Sequence, residues 1–177
     1  MKMQEFLERL PEPFAIEILE ALPGPDRKDL LRRNNAKVSL RAGNLKRSLR
    51  RAKETRLLLQ ALVKNGDLDL QRTFLQGWLA RRADMIVYFL NTWEIEHSNG
   101  IVDSFDWVNE VEADKVKESL PGLKEMNENL EDIAPLVYFA YLELPCTGEV
   151  LDVDALFKDV EPAEAQTREL DSVCWGP

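Results

Sequence analysis

Leu59 to Leu70, LQALVKNGDLDL, decides the fold of this chain. Apolar residues three and four apart run up to Lys64, Asn65-Gly66 interrupts them, and a new apolar series starts at Leu68. Gly66 supplies the left-handed position that closes a helix, and Asp67 is placed to cap the next. The stretch therefore predicts two long helices, about 45–64 and 68–96, joined by a short turn and packed antiparallel. The second carries Leu75, Trp78, Leu79, Ile86, Phe89, Leu90 and Trp93 at helical spacing before Ser98-Asn99-Gly100.

Outward from this hairpin, punctuation by proline, glycine and asparagine leaves further helix-sized pieces. Met3, Phe6, Leu7 and Leu10 share one helical face that stops at Pro11, and Pro13 fits the first turn of a second helix through Leu22. Asp26 is a candidate N-cap for a basic segment that either pauses at Ala42-Gly43-Asn44 or runs through it. Asp103 or Ser104 starts a helix up to Pro121-Gly122, and another segment follows from Leu123. Pro135 then either kinks one long helix or sits in the first turn of a new one, Ala134 to Glu143, capped by Asp132. The fold class is all-α, a bundle of about five to seven helices built around the hairpin. Residues 1–145 form the bundle domain, and residues 146–177 are an acidic C-terminal tail or docked appendage.

At 177 residues and 45% hydrophobic content the chain can bury a sizeable core. Its longest apolar run, Ala134 to Leu142 (APLVYFAYL), falls well short of the roughly 20 residues that span a bilayer, so it reads as core and no membrane partner is expected. Glu5, Glu8 and Arg9 interrupt the start of the chain where a secretory signal needs an apolar run, which favours a cytoplasmic location. Cys146 and Cys174, without CxxC spacing or paired histidines, read as free thiols rather than zinc ligands.

Charge is strongly segregated. The chain carries net −9, yet residues 26–56 hold 12 Lys and Arg against three acids, net +9, while residues 98–177 hold five against 19, net −14. On a helical wheel, Leu45, Leu49, Ala52, Leu59 and Val63 form one stripe, and Lys46, Arg47, Arg50, Arg51 and Lys53 lie opposite. The pairs Lys46–Arg50 and Arg47–Arg51 repel at i, i+4, which calls for an anionic neighbour. Three candidates fit: the acidic C-terminal half of the same chain, a nucleic-acid backbone, or an acidic surface on another protein. No aromatic residue lies within residues 26–56, which disfavours base stacking there. Arg56 and Arg82 fall on otherwise apolar arcs. Each is expected to form an internal ion pair or, for Arg82 beside Trp78, an interface anchor, with the ion pair favoured.

Catalytic and cofactor signatures are missing. Glu94 and His97 have the i, i+3 spacing that di-iron bundles use twice, but His97 is the sole histidine, and at a helix C-terminus it is more simply a dipole partner. No GxxxxGK[ST], GxGxxG or nucleophile elbow occurs. The sequence therefore implies no metal or cofactor. Its expected function is that of a non-enzymatic adaptor, regulatory or accessory subunit meeting an anionic partner through the basic helix face. The alternative is a nucleic-acid-binding accessory subunit of a ribonucleoprotein or DNA complex.

Overall fold

The computed structural model describes residues 1–38, 47–126 and 133–157; the Arg47 side chain is not among them. The fold is all-α, and the only β pairing among the described residues is an isolated bridge between Ser98 and Ile101. Three helices come first, α1 (Met3–Arg9), α2 (Glu12–Ala21) and α3 (Gly24–Arg33). The hairpin follows as α4 (Arg47–Asn65) and α5 (Leu68–Leu79), and a 3₁₀ turn (Ala80–Arg82) links α5 to α6 (Ala83–Thr92). A second 3₁₀ turn (Asp106–Asn109) leads into α7 (Ala113–Met126) and α8 (Ala134–Leu142), with the short α9 (Thr147–Val150) and α10 (Val153–Leu156) last.

The hairpin turn forms as its residues dictate. Gly66 takes φ +62°, and the Asp67 carboxylate accepts from the amides of Asp69 (3.1 Å) and Leu70 (3.2 Å), satisfying two donors that the α5 start would otherwise orphan. Gln71, buried one turn in, donates from Nε2 to the Leu62 carbonyl at 2.9 Å and ties α5 back to α4. Beyond the turn, α4 and α5 pack on α2 and scarcely on each other, so the hairpin expected to close by direct packing of its two helices closes through α2 instead. Phe14, Ala15, Ile18 and Leu19 supply the buried face of α2, a stripe wide enough to meet two helices.

Several boundaries differ from the sequence expectation. The basic segment ends early: α3 starts at Gly24, with Asp26 in its first turn, and closes with Asn35 at φ +53° and the Ala36 amide on the Leu31 carbonyl (2.9 Å). The Ala42-Gly43-Asn44 and Asp132 positions lie outside the described residues. The second hairpin helix is broken at residues 80–82 and ends at Thr92 rather than near Glu96. There Glu94 takes the left-handed position at φ +59°, the Ile95 amide bonds the Leu90 carbonyl (2.9 Å), and Lys115 Nζ caps the Trp93 carbonyl (2.9 Å). The helix expected from Asp103 is divided between the 3₁₀ turn and α7, which continues through Pro121-Gly122 because Val116, Ser119 and Leu123 stay buried along one face. Pro135 lies in the first turn of a new helix.

That helix, α8, is the centre of the molecule. Every residue from Ala134 to Ala140 is buried, so it is apolar all round, as a helix enclosed by others must be. Tyr138 lies in a layered aromatic cluster, stacked on Phe89 (5.9 Å between ring centres) and Trp93 (6.4 Å, 9° between planes). The beginning of the expected C-terminal appendage is docked on this core: Thr147 is buried, and Phe157 meets Phe6 at 6.4 Å with Arg9 over its ring. Residues 158–177, including Cys174, lie outside the described residues.

A Cβ at Gly77 would lie 2.9 Å from Leu22 Cα, where α2 ends against α5, so Gly77→Ala should destabilise by about 1–3 kcal/mol in urea unfolding instead of giving the usual helix gain. Burial pushes the Tyr138 phenol well up, with the Tyr141 charge adding to it. The folded state therefore holds a proton that the unfolded chain releases above about pH 10, and stability falls as pH rises past that point. Tyr138→Phe should move the alkaline unfolding midpoint, followed by circular dichroism, to higher pH.

Candidate partner-binding surface

The arginines of α4 divide into two sets according to where their carboxylates come from. Arg56 donates from Nε (3.2 Å) and Nη2 (2.7 Å) to one oxygen of Glu12, and the two side chains are only 13% and 11% exposed. Arg51, also mostly buried, lies 3.4 Å from Glu20. Glu12 faces Arg56 and Glu20 faces Arg51, so α2 and α4 run antiparallel with an ionic seam along their contact. Taking charges this far from water is costly unless each meets its opposite, and the seam meets that requirement pair by pair. Glu12 also stands in the first turn of α2, where the helix dipole favours a negative charge.

The second set stays near the surface. Glu54, 3% exposed, accepts from Arg50 Nε (3.0 Å) one turn earlier and from the Val38 amide (3.3 Å). That carboxylate thereby fastens the chain after α3 to the first half of α4. Lys37 and Lys53 are exposed. On α3, Asp29 accepts from Arg32 (2.7 Å) and pairs with Arg33 (2.6 Å); the Arg32 hydrogen bond, with help from Arg33, holds its carboxyl below the ordinary range. Two basic segments, the end of α3 and the start of α4, are joined through Glu54.

This arrangement corrects the wheel drawn from sequence. Leu49, expected in the apolar stripe, is 37% exposed, whereas Arg51, expected opposite, points into the α2 contact. The buried side of α4 is set by Glu54, Thr55, Leu58, Leu59 and Leu62, so the helix is rotated toward its charged residues because α2 offers them carboxylates. Of the expected partner-binding residues, Arg50 and Arg51 are paired, Lys53 is exposed, and Lys46 and the Arg47 side chain lie outside the described residues. The carboxylates opposite Arg51 and Arg56 come from the N-terminal α2, not from the acidic C-terminal half. Lys37 carries no helical-wheel signal because it lies outside α3 and α4. Glu12 and Glu20, two helical turns apart, were the legible signal for the seam.

Arg82, for which the sequence favours an ion pair, has none among the described residues. Its guanidinium lies 5.0 Å over the Trp78 ring, and its buried Nε has no hydrogen-bond partner. Trp78 is itself core, packed edge-on against Phe14 at 5.4 Å and donating from Nε1 to Glu17 at 2.9 Å. His97 lies five residues beyond the end of α6, not at a helix C-terminus. Its Nδ1 accepts from the Gly100 amide (3.1 Å), which leaves Nε2 to donate to Asn91 Oδ1 (3.2 Å). Glu94 turns to Lys115 at 3.0 Å instead of joining His97. Among the described residues no group of three or more His, Cys, Asp and Glu side chains could hold a metal ion. Burial pushes the Cys146 thiol up, and it forms no disulfide. No helix of the described residues is long and apolar enough to cross a membrane.

The chain matches no family model, no curated protein and no solved structure. Any functional reading therefore rests on its own residues.

The two sets of arginines should respond differently to truncation. Arg56→Ala, which leaves the Glu12 carboxylate unpaired, should cost about 2–3 kcal/mol in urea unfolding, below the range for fully buried pairs because both side chains keep some contact with water. The Glu12→Ala/Arg56→Ala double variant should lose less than the two singles together, while Lys53→Ala should stay within about 0.5 kcal/mol of the parent.

Proposed function

We propose that this chain is a cytoplasmic, non-enzymatic interaction protein, an adaptor or accessory subunit, that binds an acidic surface on another protein through the basic surface of α3 and α4. One observation carries the reading: with Glu12 and Glu20 set against the +9 of residues 26–56, net +7 remains, and Lys37 and Lys53 present part of it to solvent. Charge concentrated in this way raises encounter rates with a complementary surface and fixes its orientation.

A protein surface fits better than a nucleic-acid backbone. Carboxylates are interleaved with the cations: Asp29 stands between Arg32 and Arg33, and Glu54 takes Arg50. A continuous polyphosphate would meet those acids as well as the net −9 of the whole chain, whereas a protein surface with discrete acids can match the spacing of the remaining cations.

The test is charge reversal at positions that carry no structural contact. Lys37→Glu/Lys53→Glu should abolish recovery of a protein partner from nuclease-treated native lysate and leave helicity and Tm unchanged. Recovery that persists in the variant overturns the reading. Recovery that disappears on nuclease treatment, with a direct oligonucleotide affinity that falls by about 0.7 log units per log unit of salt for each phosphate contacted, puts a nucleic-acid partner in its place.

A further inference from the structure

A second surface, independent of the basic one, carries chemistry of its own. A cavity of about 310 Å³ opens between α5, α6, α8 and the loop at 99–105. At about 30 Å³ per water it has room for about ten waters, which corresponds to a molecule on the order of ten non-hydrogen atoms. Leu79, Ala83, Ile86, Ile101 and Phe105 form its apolar walls, Gln76 and Asn99 add polar side chains, and Tyr138 and Tyr141 come from α8. We propose that this cavity binds a small aromatic molecule bearing one hydrogen-bond acceptor, with the Tyr138 hydroxyl as the donor to it.

Tyr138 is the observation that points to a ligand. Its side chain is 4% exposed, and its ring is stacked on Phe89 and Trp93, neither of which lines the cavity. Phe89 and Trp93, themselves 4.9 Å apart, lie to the same side of that ring, and the rest of Tyr138 is what lines the cavity. Its hydroxyl makes no hydrogen bond to any described residue, whereas the other phenol of the same cluster, Tyr88, donates to the Ser119 carbonyl at 2.8 Å. The Tyr138 hydroxyl keeps access to solvent, so a ligand acceptor would replace water there, beside walls that are mostly hydrocarbon and aromatic with Gln76 and Asn99 as the other polar side chains. Because burial raises its phenol, Tyr138 stays protonated, and so a donor, across the physiological range.

The rim is rigid enough to make the site preformed. Ser98 and Ile101 exchange two backbone hydrogen bonds (2.8 and 3.0 Å), and the Gly100 amide between them is held by His97. Gly100 takes φ +86°, and a Cβ there would touch Ile86 at 3.4 Å, so the turn lies directly on α6. This holds Ile101, 72% exposed, at the mouth as an apolar edge fixed by the backbone rather than by burial. Phe105 stands edge-to-face with Tyr141 at 6.3 Å, and Arg72 lies over both rings at 5.8 Å. An aromatic ligand entering past Phe105 meets ring edges and aliphatic walls, the lining of ordinary small-molecule sites.

Fluorine NMR titration of the full chain with para-fluoroacetophenone and with para-fluoroethylbenzene tests this. Both probes should show saturable shifts, with the ketone about 3- to 10-fold tighter, the effect of one hydrogen bond from a neutral donor. Tyr138→Phe should remove the ketone's advantage and leave the hydrocarbon's affinity unchanged. Ala83→Trp, a substitution at an exposed wall position, should fill the cavity and abolish binding of both. The proposal is overturned if neither probe saturates, if the two bind the parent equally, if the ketone's advantage survives Tyr138→Phe, or if binding survives Ala83→Trp.

Discussion

A guanidinium removed from water must meet a carboxylate, and that requirement fixes how the first half of this molecule is assembled. Arg51 and Arg56 are turned into the contact with α2, so α2 must bring Glu20 and Glu12 to them in antiparallel order. Once α2 is held there, its apolar residues cover α4 on one side and α5 on the other, and Gly77 lets the end of α2 close against α5. A pair of buried charges adds little net stability over an apolar contact of the same size. What it adds here is register: sliding α2 by one turn would part both pairs together.

The same rule separates structural from available charge. Arg56 and Arg51 complete the fold, Arg50 is held by the buried Glu54, and Lys37 and Lys53 remain at the surface. Glu54 takes part in both roles. Itself buried, it joins the segment after α3 to α4. The core depends on aromatic packing around α8, where Tyr138 is the member of the Phe89–Trp93–Tyr138 stack that lines the cavity.

Helix boundaries show where sequence signals run out. The turn at Gly66-Asp67 was legible because glycine and an N-cap aspartate announce it. The end of α6 was not, because its left-handed position is filled by Glu94, and a glutamate at φ +59° has no local signature; it is kept there by the Ile95–Leu90 hydrogen bond and by Lys115 from α7. The continuation of α7 through Pro121-Gly122 is similar, since one lost backbone hydrogen bond is outweighed when the same face stays buried on both sides of the proline.

Periodicity and punctuation by themselves determined the all-α class, the hairpin turn, the core role of Ala134 to Leu142 and the segregation of charge, because each depends on residues within a few turns of one another. The rotation of α4, the glutamates that meet its arginines, the stacking of Arg82 on Trp78 and the meeting of Tyr138 with the 99–105 loop were decided only in three dimensions. A helical wheel assigns charge to solvent and leucine to the core by default. That default fails where another helix supplies an opposite charge at the right height, and only the packed structure says which helix that is.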